Sequence, residues 1–306
     1  MKKVVIFGGS GFLGLSLADY LETKGFVPIL IARHYIDTPY RLILWDGYSI
    51  GSWCSQLEGA EAVVNFAGKS VNCRKTPDNR DLILRSRLEA TEAIGEALKR
   101  LKKPPKVWVQ MSTAHIYGDP PTRRCNENSI TGVGLAPEVG KAWEQKFRVM
   151  KPDSVRGIVL RTGFVLGASG GAYKELKTLV RLGFGSAIAS GKQGMSWIHQ
   201  RDFNRIVFQA IVNDYYSGVY NVTSPYPCSN AELMKQLRKV LGWPIAIPLP
   251  TWALRIGARW ILKTDEELAI HGRYVIPEKL LVQGFRFRFP KIQDALLDIV
   301  ATTSKS

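Results

Sequence analysis

Short apolar runs alternate with amphipathic segments over the first two-thirds of the chain, the pattern of strands joined by helices in a parallel sheet. Lys3 to Phe7 reads as a buried strand. Gly11 to Lys24 follows as a helix with Leu13, Leu17 and Leu21 on one face and Gly25 at its end. Val27 to Ala32, Leu42 to Trp45 and Ala62 to Phe66 read as the second, third and fourth strands. A long helix from about Asp78 to Leu101 stops ahead of Pro104-Pro105. Val107 to Met111 and Val155 to Leu160 supply a fifth and a sixth strand. Between them, a helix from about Pro137 to Met150 carries Trp143 and Phe147 four residues apart.

Past Gly163 the pattern loosens. Glycines at 167, 170, 171, 183, 185, 191 and 194 mark loops expected to fold over the carboxyl ends of the strands. A helix near Asp202 to Asn213, a strand at Val219 to Val222 and a helix from Asn230 to Leu241 come next. Further helices are expected around Thr251 to Leu262 and Pro290 to Val300, with a frayed tail beyond Ala301. No internal repeat or low-complexity tract interrupts the series.

The chemistry begins where the first strand ends. In Phe7-Gly8-Gly9-Ser10-Gly11-Phe12-Leu13-Gly14, glycines stand three apart at 8, 11 and 14, between a predicted strand and the helix it opens. Gly8 permits the tight turn, Gly11 lets backbone approach a pyrophosphate, and Gly14 allows close packing of helix on strand. The backbone of Ser10, Phe12 and Leu13 and the helix dipole then face the phosphates. A carboxylate at the end of the second strand would select NAD; this chain has Ala32-Arg33-His34 there. Arg33 suits the 2′-phosphate of NADP(H), which a carboxylate would repel. Asp46, after the third strand, is positioned to accept from an adenine amino group. Asn65-Phe66-Ala67-Gly68 ends the fourth strand with small residues that let a cofactor pass close to the backbone.

Composition changes this picture little. At 306 residues, 45% hydrophobic and 22% charged, the chain is an ordinary globular protein. Its net charge of +16 raises nucleic-acid or membrane-surface binding as an outside reading, but no run of five like charges and no nucleic-acid module supports it. Cys54, Cys73, Cys125 and Cys228 lack paired spacing, so neither a disulfide framework nor a metal site is expected, and a cytoplasmic location is. No apolar run reaches the roughly 18–20 residues of a membrane span. The opening Met1-Lys2-Lys3 and its apolar run resemble a signal peptide, but regularly spaced glycines interrupt that run, so secretion is not expected.

Taken together, these residues resemble the extended or atypical short-chain dehydrogenase/reductase superfamily. The motifs are Gly8, Gly11 and Gly14, Asn65 to Gly68, Met111-Ser112-Thr113-Ala114-His115-Ile116-Tyr117-Gly118, and Trp197 to Asp202. More narrowly, Ser86-Arg87-Leu88-Glu89-Ala90-Thr91, Trp143-Glu144, Leu160 to Gly167 and Ser224 to Pro227 resemble its epimerase-like branch. Ile276-Pro277 and Gly284-Phe285-Arg286-Phe287 resemble that branch's small C-terminal domain of unknown function. The resemblance implies an α/β fold: a Rossmann-type doubly wound parallel sheet of strand order 3-2-1-4-5-6, with a smaller C-terminal α/β substrate region. Residues 1–165, with returning segments from 195–225, form the expected NADP(H) domain. Residues 166–306 form the smaller region, its C-terminal domain starting at about 248. The resemblance also implies cofactor contacts from Ala32 and Arg33, Phe66 and Ala67, Arg87, and Val165.

One departure concerns catalysis. Reductases of the superfamily place Tyr-x-x-x-Lys on the helix after the fifth strand, the lysine lowering the tyrosine's pKa for proton exchange with substrate. Here the matching offset holds Ala136 and Gly140, while Tyr20/Lys24 and Tyr173/Lys177 match only formally, on other segments. Ser112, His115 and Tyr117 are the candidate catalytic residues, with Lys141 and His199 as weaker ones; histidine titrates nearest neutral pH. Two readings follow. One is an NADP(H)-dependent epimerase-like oxidoreductase acting on a small molecule of unknown identity. The other is a sensor or scaffold that binds NADP(H) without turnover.

Overall fold

A computed structural model describes residues 2–120, 122–243 and 272–303. Its main sheet is built from β1 (Lys2–Phe7), β2 (Phe26–Ala32), β3 (Arg41–Leu44), β4 (Ala62–Asn65) and β5 (Val107–Thr113). A two-residue strand, β6 (Arg124–Cys125), stands apart before β7 (Arg156–Thr162) returns to the sheet. The order is β3, β2, β1, β4, β5, β7, and then a seventh strand, β12 (Gly218–Val222), at the edge beside β7. Every pairing in it is parallel. The doubly wound order expected for six strands is present, extended by one.

Burial explains the apolar runs. Val4, Val5, Ile6 and Phe7 of β1 are all fully buried, as a parallel strand covered on both faces must be. Because side chains alternate, Val4 and Ile6 join one core with Leu17, Leu21 and Leu30, while Val5 and Phe7 join another with Ile31, Ile94 and Trp108. Helices α1 (Phe12–Glu22) and α5 (Gln200–Val212) cover the first face. Helices α2 (Pro77–Lys99) and α3 (Leu135–Met150) cover the second. Thr76 caps α2 by accepting from the Asn79 amide, with Pro77 in the first turn, where its missing N–H costs nothing.

The glycine-rich stretch after Gly163 is more ordered than its composition predicts. It contains β8 (Phe164–Gly167), β9 (Gly170–Gly171), α4 (Ala172–Arg181), β10 (Gly194–Met195) and β11 (Trp197–His199). Its glycines mark the turns; Gly171 and Gly183 take positive φ on either side of a short amphipathic helix. With β13 (Cys228–Ser229) and α6 (Asn230–Leu241), this stretch leads to β14 (Tyr274–Val275), α7 (Glu278–Val282) and α8 (Ile292–Thr303). Tyr173, Trp197, Leu233, Leu237, Leu296 and Ile299 belong to a third core here. The last helix runs past Ala301, where fraying was expected: it extends to Thr303, and the hydroxyls of Thr302 and Thr303 donate to the carbonyls of Asp298 and Ile299. The helix expected at Thr251 to Leu262 lies outside the described residues. Among the described residues, no helix is long and apolar enough to cross a membrane, and no cluster of three or more His, Cys, Asp or Glu is poised for a metal. All four cysteines are free.

Candidate active site

The turn after β1 is shaped by contacts that only glycine tolerates. Gly8 has φ +74°, and a Cβ there would come within 2.9 Å of the Phe66 carbonyl. A Cβ on Gly14 would meet the Gly8 oxygen at 2.6 Å, so helix and turn could not close. Gly9, to which the three-glycine spacing assigns no part, is equally constrained by Leu30 at 2.7 Å. Gly11 differs: its added Cβ would touch only the Gly8 oxygen, at 3.3 Å, and its φ of −81° suits any residue. The space beside Gly11 is open on the outer side, the cradle a pyrophosphate needs. Gly11 opens α1 without a side-chain cap, leaving first-turn amides outside the helical ladder. Ser10 and Leu13 are half-buried, and Phe12 turns its ring under Gly167, Gly170 and Gly171.

At the end of β2, Ala32 is buried and its carbonyl accepts from the Trp45 amide at 2.9 Å. Arg33 is exposed beside Gly47 and pairs with no carboxylate among the described residues. Asp46 is also exposed, but both its oxygens accept from its own loop: Oδ1 from the Tyr48 and Ser49 amides, Oδ2 from the Ser49 hydroxyl. At the end of β4, Asn65 Oδ1 accepts from the Ala67 amide and fixes the Phe66-Ala67-Gly68 turn, with Phe66 packed on Phe203. Arg87 lies over Gly68. Its Nη1 donates to the carbonyls of Lys69 and Ile83 at 3.0 and 2.8 Å, and its guanidinium covers the Trp143 ring at 5.0 Å. Burial lowers its pKa to about 10. The surface arginine paired with carboxylates is Arg85, between Asp81 and Glu89. Val165 in β8 is buried opposite Ile198.

The catalytic candidates divide sharply. Ser112 is buried, and its hydroxyl donates to Glu144 Oε1 at 2.7 Å, so its proton is committed. The Tyr117 hydroxyl donates to Asn221 Oδ1 at 2.8 Å and accepts from Arg161 Nη1 at 2.9 Å. Burial raises its pKa, against the opposing Arg161 charge. Both residues belong to a buried network centred on Glu144 and Arg161. Sequence motifs contain those two residues but say nothing of their meeting; the available signal was a charged residue inside an apolar strand. Thr113, next in the strand, was also missed. It accepts from the His115 amide at 3.1 Å, and no described residue takes its hydroxyl hydrogen. His115 follows, edge-on to Phe164 with ring centroids 5.3 Å apart. Its pKa lies well below the ordinary value because of burial, then the charges of Arg273 and Lys75.

The remaining matches are structural. Gly140 of α3 packs against Ile116 and Thr113, where a larger residue would crowd them. Lys141 is exposed and donates to the Gly132 carbonyl. Tyr20 packs on Phe208, away from the strand ends. Tyr173 is buried in the third core, which raises its pKa against the opposing Arg181 charge, and Lys177 Nζ lies over its ring. His199 caps α5: its Nδ1 accepts from the Arg201 amide, and its Nε2 lies 3.2 Å from Asp298.

Residues 4–137 match the NAD dependent epimerase/dehydratase family, and residues 249–299 match a domain of unknown function, DUF1731. The epimerase family protein SDR39U1 of Bos taurus is 32% identical over 98% of this chain and 100% of its own length. Its chloroplastic homolog in Arabidopsis thaliana is 29% identical over 97% of this chain and 86% of its own. A crystal structure of human SDR39U1 (isoform 2) with NADPH superimposes with a TM-score of 0.87 at 30% identity, covering 98% of this chain and 99% of that one. With a relative this similar along almost its whole length, the chain belongs to the SDR39U1-type epimerase family.

Proposed function

We propose that this protein binds NADP(H) in the Gly8–Gly14 turn and acts on a small molecule at the carboxyl ends of β4 and β5 as an epimerase-like oxidoreductase. The observation that carries the reading is Arg33: an exposed guanidinium without a carboxylate partner among the described residues, at the strand end where an NAD site needs an acid. The open side of Gly11 and the uncapped first turn of α1 supply the phosphate cradle. Ala32, Phe66, Ala67, Gly68 and Val165 line the path with backbone and apolar surface. Asp46 retains lone pairs for an adenine amino group, and Arg87 steadies the turn after β4. NADPH bound in the human relative is in keeping with this assignment. Residues 1–165, joined by 195–225, form the cofactor domain, and 166–306 form the substrate region. Free thiols suit a reducing compartment such as the cytoplasm.

When bound, the nicotinamide exchanges a hydride with a substrate carbon. The chain's part is to orient that carbon and handle the proton on its oxygen. Thr113, with an uncommitted hydroxyl hydrogen at the end of β5, is the better group to polarise the oxygen. Neutral His115 is the group to accept or relay a proton. Ser112 and Tyr117 hold the β5 loop in place through Glu144 and Arg161.

A second reading, cofactor binding without turnover, is favoured by those same commitments of Ser112 and Tyr117 and by Ala136 and Gly140 standing where tyrosine and lysine would be. Titration of NADPH and NADH against tryptophan fluorescence tests the cofactor assignment, which fails if both bind equally. NADPH oxidation against a library of carbonyl compounds then separates the readings: turnover supports the enzyme, and tight binding with no turnover supports the sensor.

A further inference from the structure

Arg273 opens the described part of the C-terminal region and is held rigidly by its backbone. Its amide donates to the Gly194 carbonyl at 2.8 Å, and its own carbonyl accepts from Ser196 Oγ at 2.7 Å. Gly194 packs so closely that a Cβ there would lie 2.5 Å from the Arg273 carbonyl carbon. The side chain that follows is not spent on structure. Arg273 is 6% exposed, its Nε is buried without a hydrogen-bond partner, and it makes no ion pair among the described residues. Leaving a buried charged donor unmatched costs more than leaving a neutral one so. A guanidinium so placed is matched by a planar or tetrahedral oxyanion.

The surroundings indicate where that anion would sit. Ser196, whose hydroxyl donates to the Arg273 carbonyl, accepts at its own carbonyl from the Phe164 amide at 2.8 Å, and the Phe164 ring packs on His115, so β8, the loop after β5 and the C-terminal region converge at one place, where the Arg273 charge also bears on His115. Lys75 Nζ donates to the carbonyls of Val71 and Cys73. The groups acting on Arg273 itself are Asp119, whose Oδ1 accepts from the Gly272 amide, and Cys125. Phe164 closes one side of the His115 ring.

We infer that Arg273 binds a carboxylate or phosphate carried by the substrate beside His115, close to its reacting carbon. The inference rests on the reading that substrate occupies the carboxyl ends of β4 and β5, and it narrows that substrate to a small anion. It also gives His115 a linked role. An anion beside Arg273 offsets the cationic field on the imidazole, so its pKa rises when the site fills and a proton becomes available only with substrate present.

The test follows the His115 imidazole by NMR in the NADPH-saturated full chain, assigned with His115→Gln. Sulfate, whose charge is constant across the titration, serves as the tetrahedral probe and acetate as the carboxylate probe. At least one should raise the His115 midpoint, and the stronger of the two identifies the class. Arg273→Gln should weaken that anion about tenfold or more, with Arg273→Lys intermediate and NADPH affinity unchanged. A midpoint that neither anion moves, or equal binding to wild type and Arg273→Gln, overturns the inference. Should Arg273→Gln fail to fold, the wild-type midpoint and Arg273→Lys decide. NADPH affinity in the same samples tests the cofactor reading separately, and the anion titration repeated on the cofactor-free chain stands whichever way that falls.

Discussion

Arg161 of β7 and Glu144 of α3 form a two-pronged pair in the interior. Arg161 Nε donates to Glu144 Oε1 at 2.8 Å and Nη2 donates to Oε2 at 2.9 Å, with both residues buried. Around them, Ser112 donates to Glu144 and Arg161 donates to Tyr117, whose hydroxyl reaches Asn221. Ser112, Arg161 and Asn221 stand in register across β5, β7 and β12. The pair therefore ties three strands and a helix to the loop carrying His115.

Removing one partner should be costly. Glu144→Ala leaves a buried guanidinium unmatched and is expected to lower stability by about 3–5 kcal/mol in urea denaturation. The double variant Glu144→Leu with Arg161→Met should recover much of that loss, because neither charge is then stranded. A double variant as unstable as the two losses summed would show that the pair is not one unit.

The glycines of the turn should separate cofactor binding from folding. Gly11→Ala needs only a small adjustment against the Gly8 oxygen, so the protein should keep its melting temperature while losing NADPH affinity. Gly14→Ala drives a methyl group into the Gly8 and Gly9 backbone and should cost about 1–3 kcal/mol of stability as well. Calorimetric melting beside NADPH titration distinguishes them. Full NADPH affinity in Gly11→Ala would place the phosphates elsewhere.

Arg33→Glu replaces a charge-assisted contact with repulsion. NADPH should bind about 10- to 100-fold more weakly, and NADH about as well as before or better. The ratio of the two constants, measured by tryptophan fluorescence, reports the selectivity. An unchanged ratio counts against Arg33 as its source.

His199 makes stability depend on pH. Burial lowers its pKa to about 4 from an ordinary 6.5, so the unfolded chain takes up the proton first as pH falls. The contribution is complete above pH 6.5 and is lost progressively toward pH 4, amounting to up to about 3 kcal/mol. His199→Asn keeps a side-chain oxygen to cap α5 and removes this titration. Its denaturation midpoint should therefore fall less than wild type across that window.

Periodicity alone was enough to identify β1, α1, β2 and the long α2, and the glycine spacing was enough to place the tight turn between β1 and α1. Such features repeat at short range, so neighbouring residues carry the information. Tertiary structure decided what depended on residues far apart in the chain. It joined the Ser112 hydroxyl to Glu144 and Arg161 and set the Thr113 hydroxyl against the His115 amide. It ordered the glycine-rich stretch around α4, whose apolar face has meaning only against α6 and α8. It also brought Arg273 to His115 across more than half the chain. A hydroxyl's availability and a guanidinium's need for an anion depend on what surrounds them in space, and linear spacing does not record that.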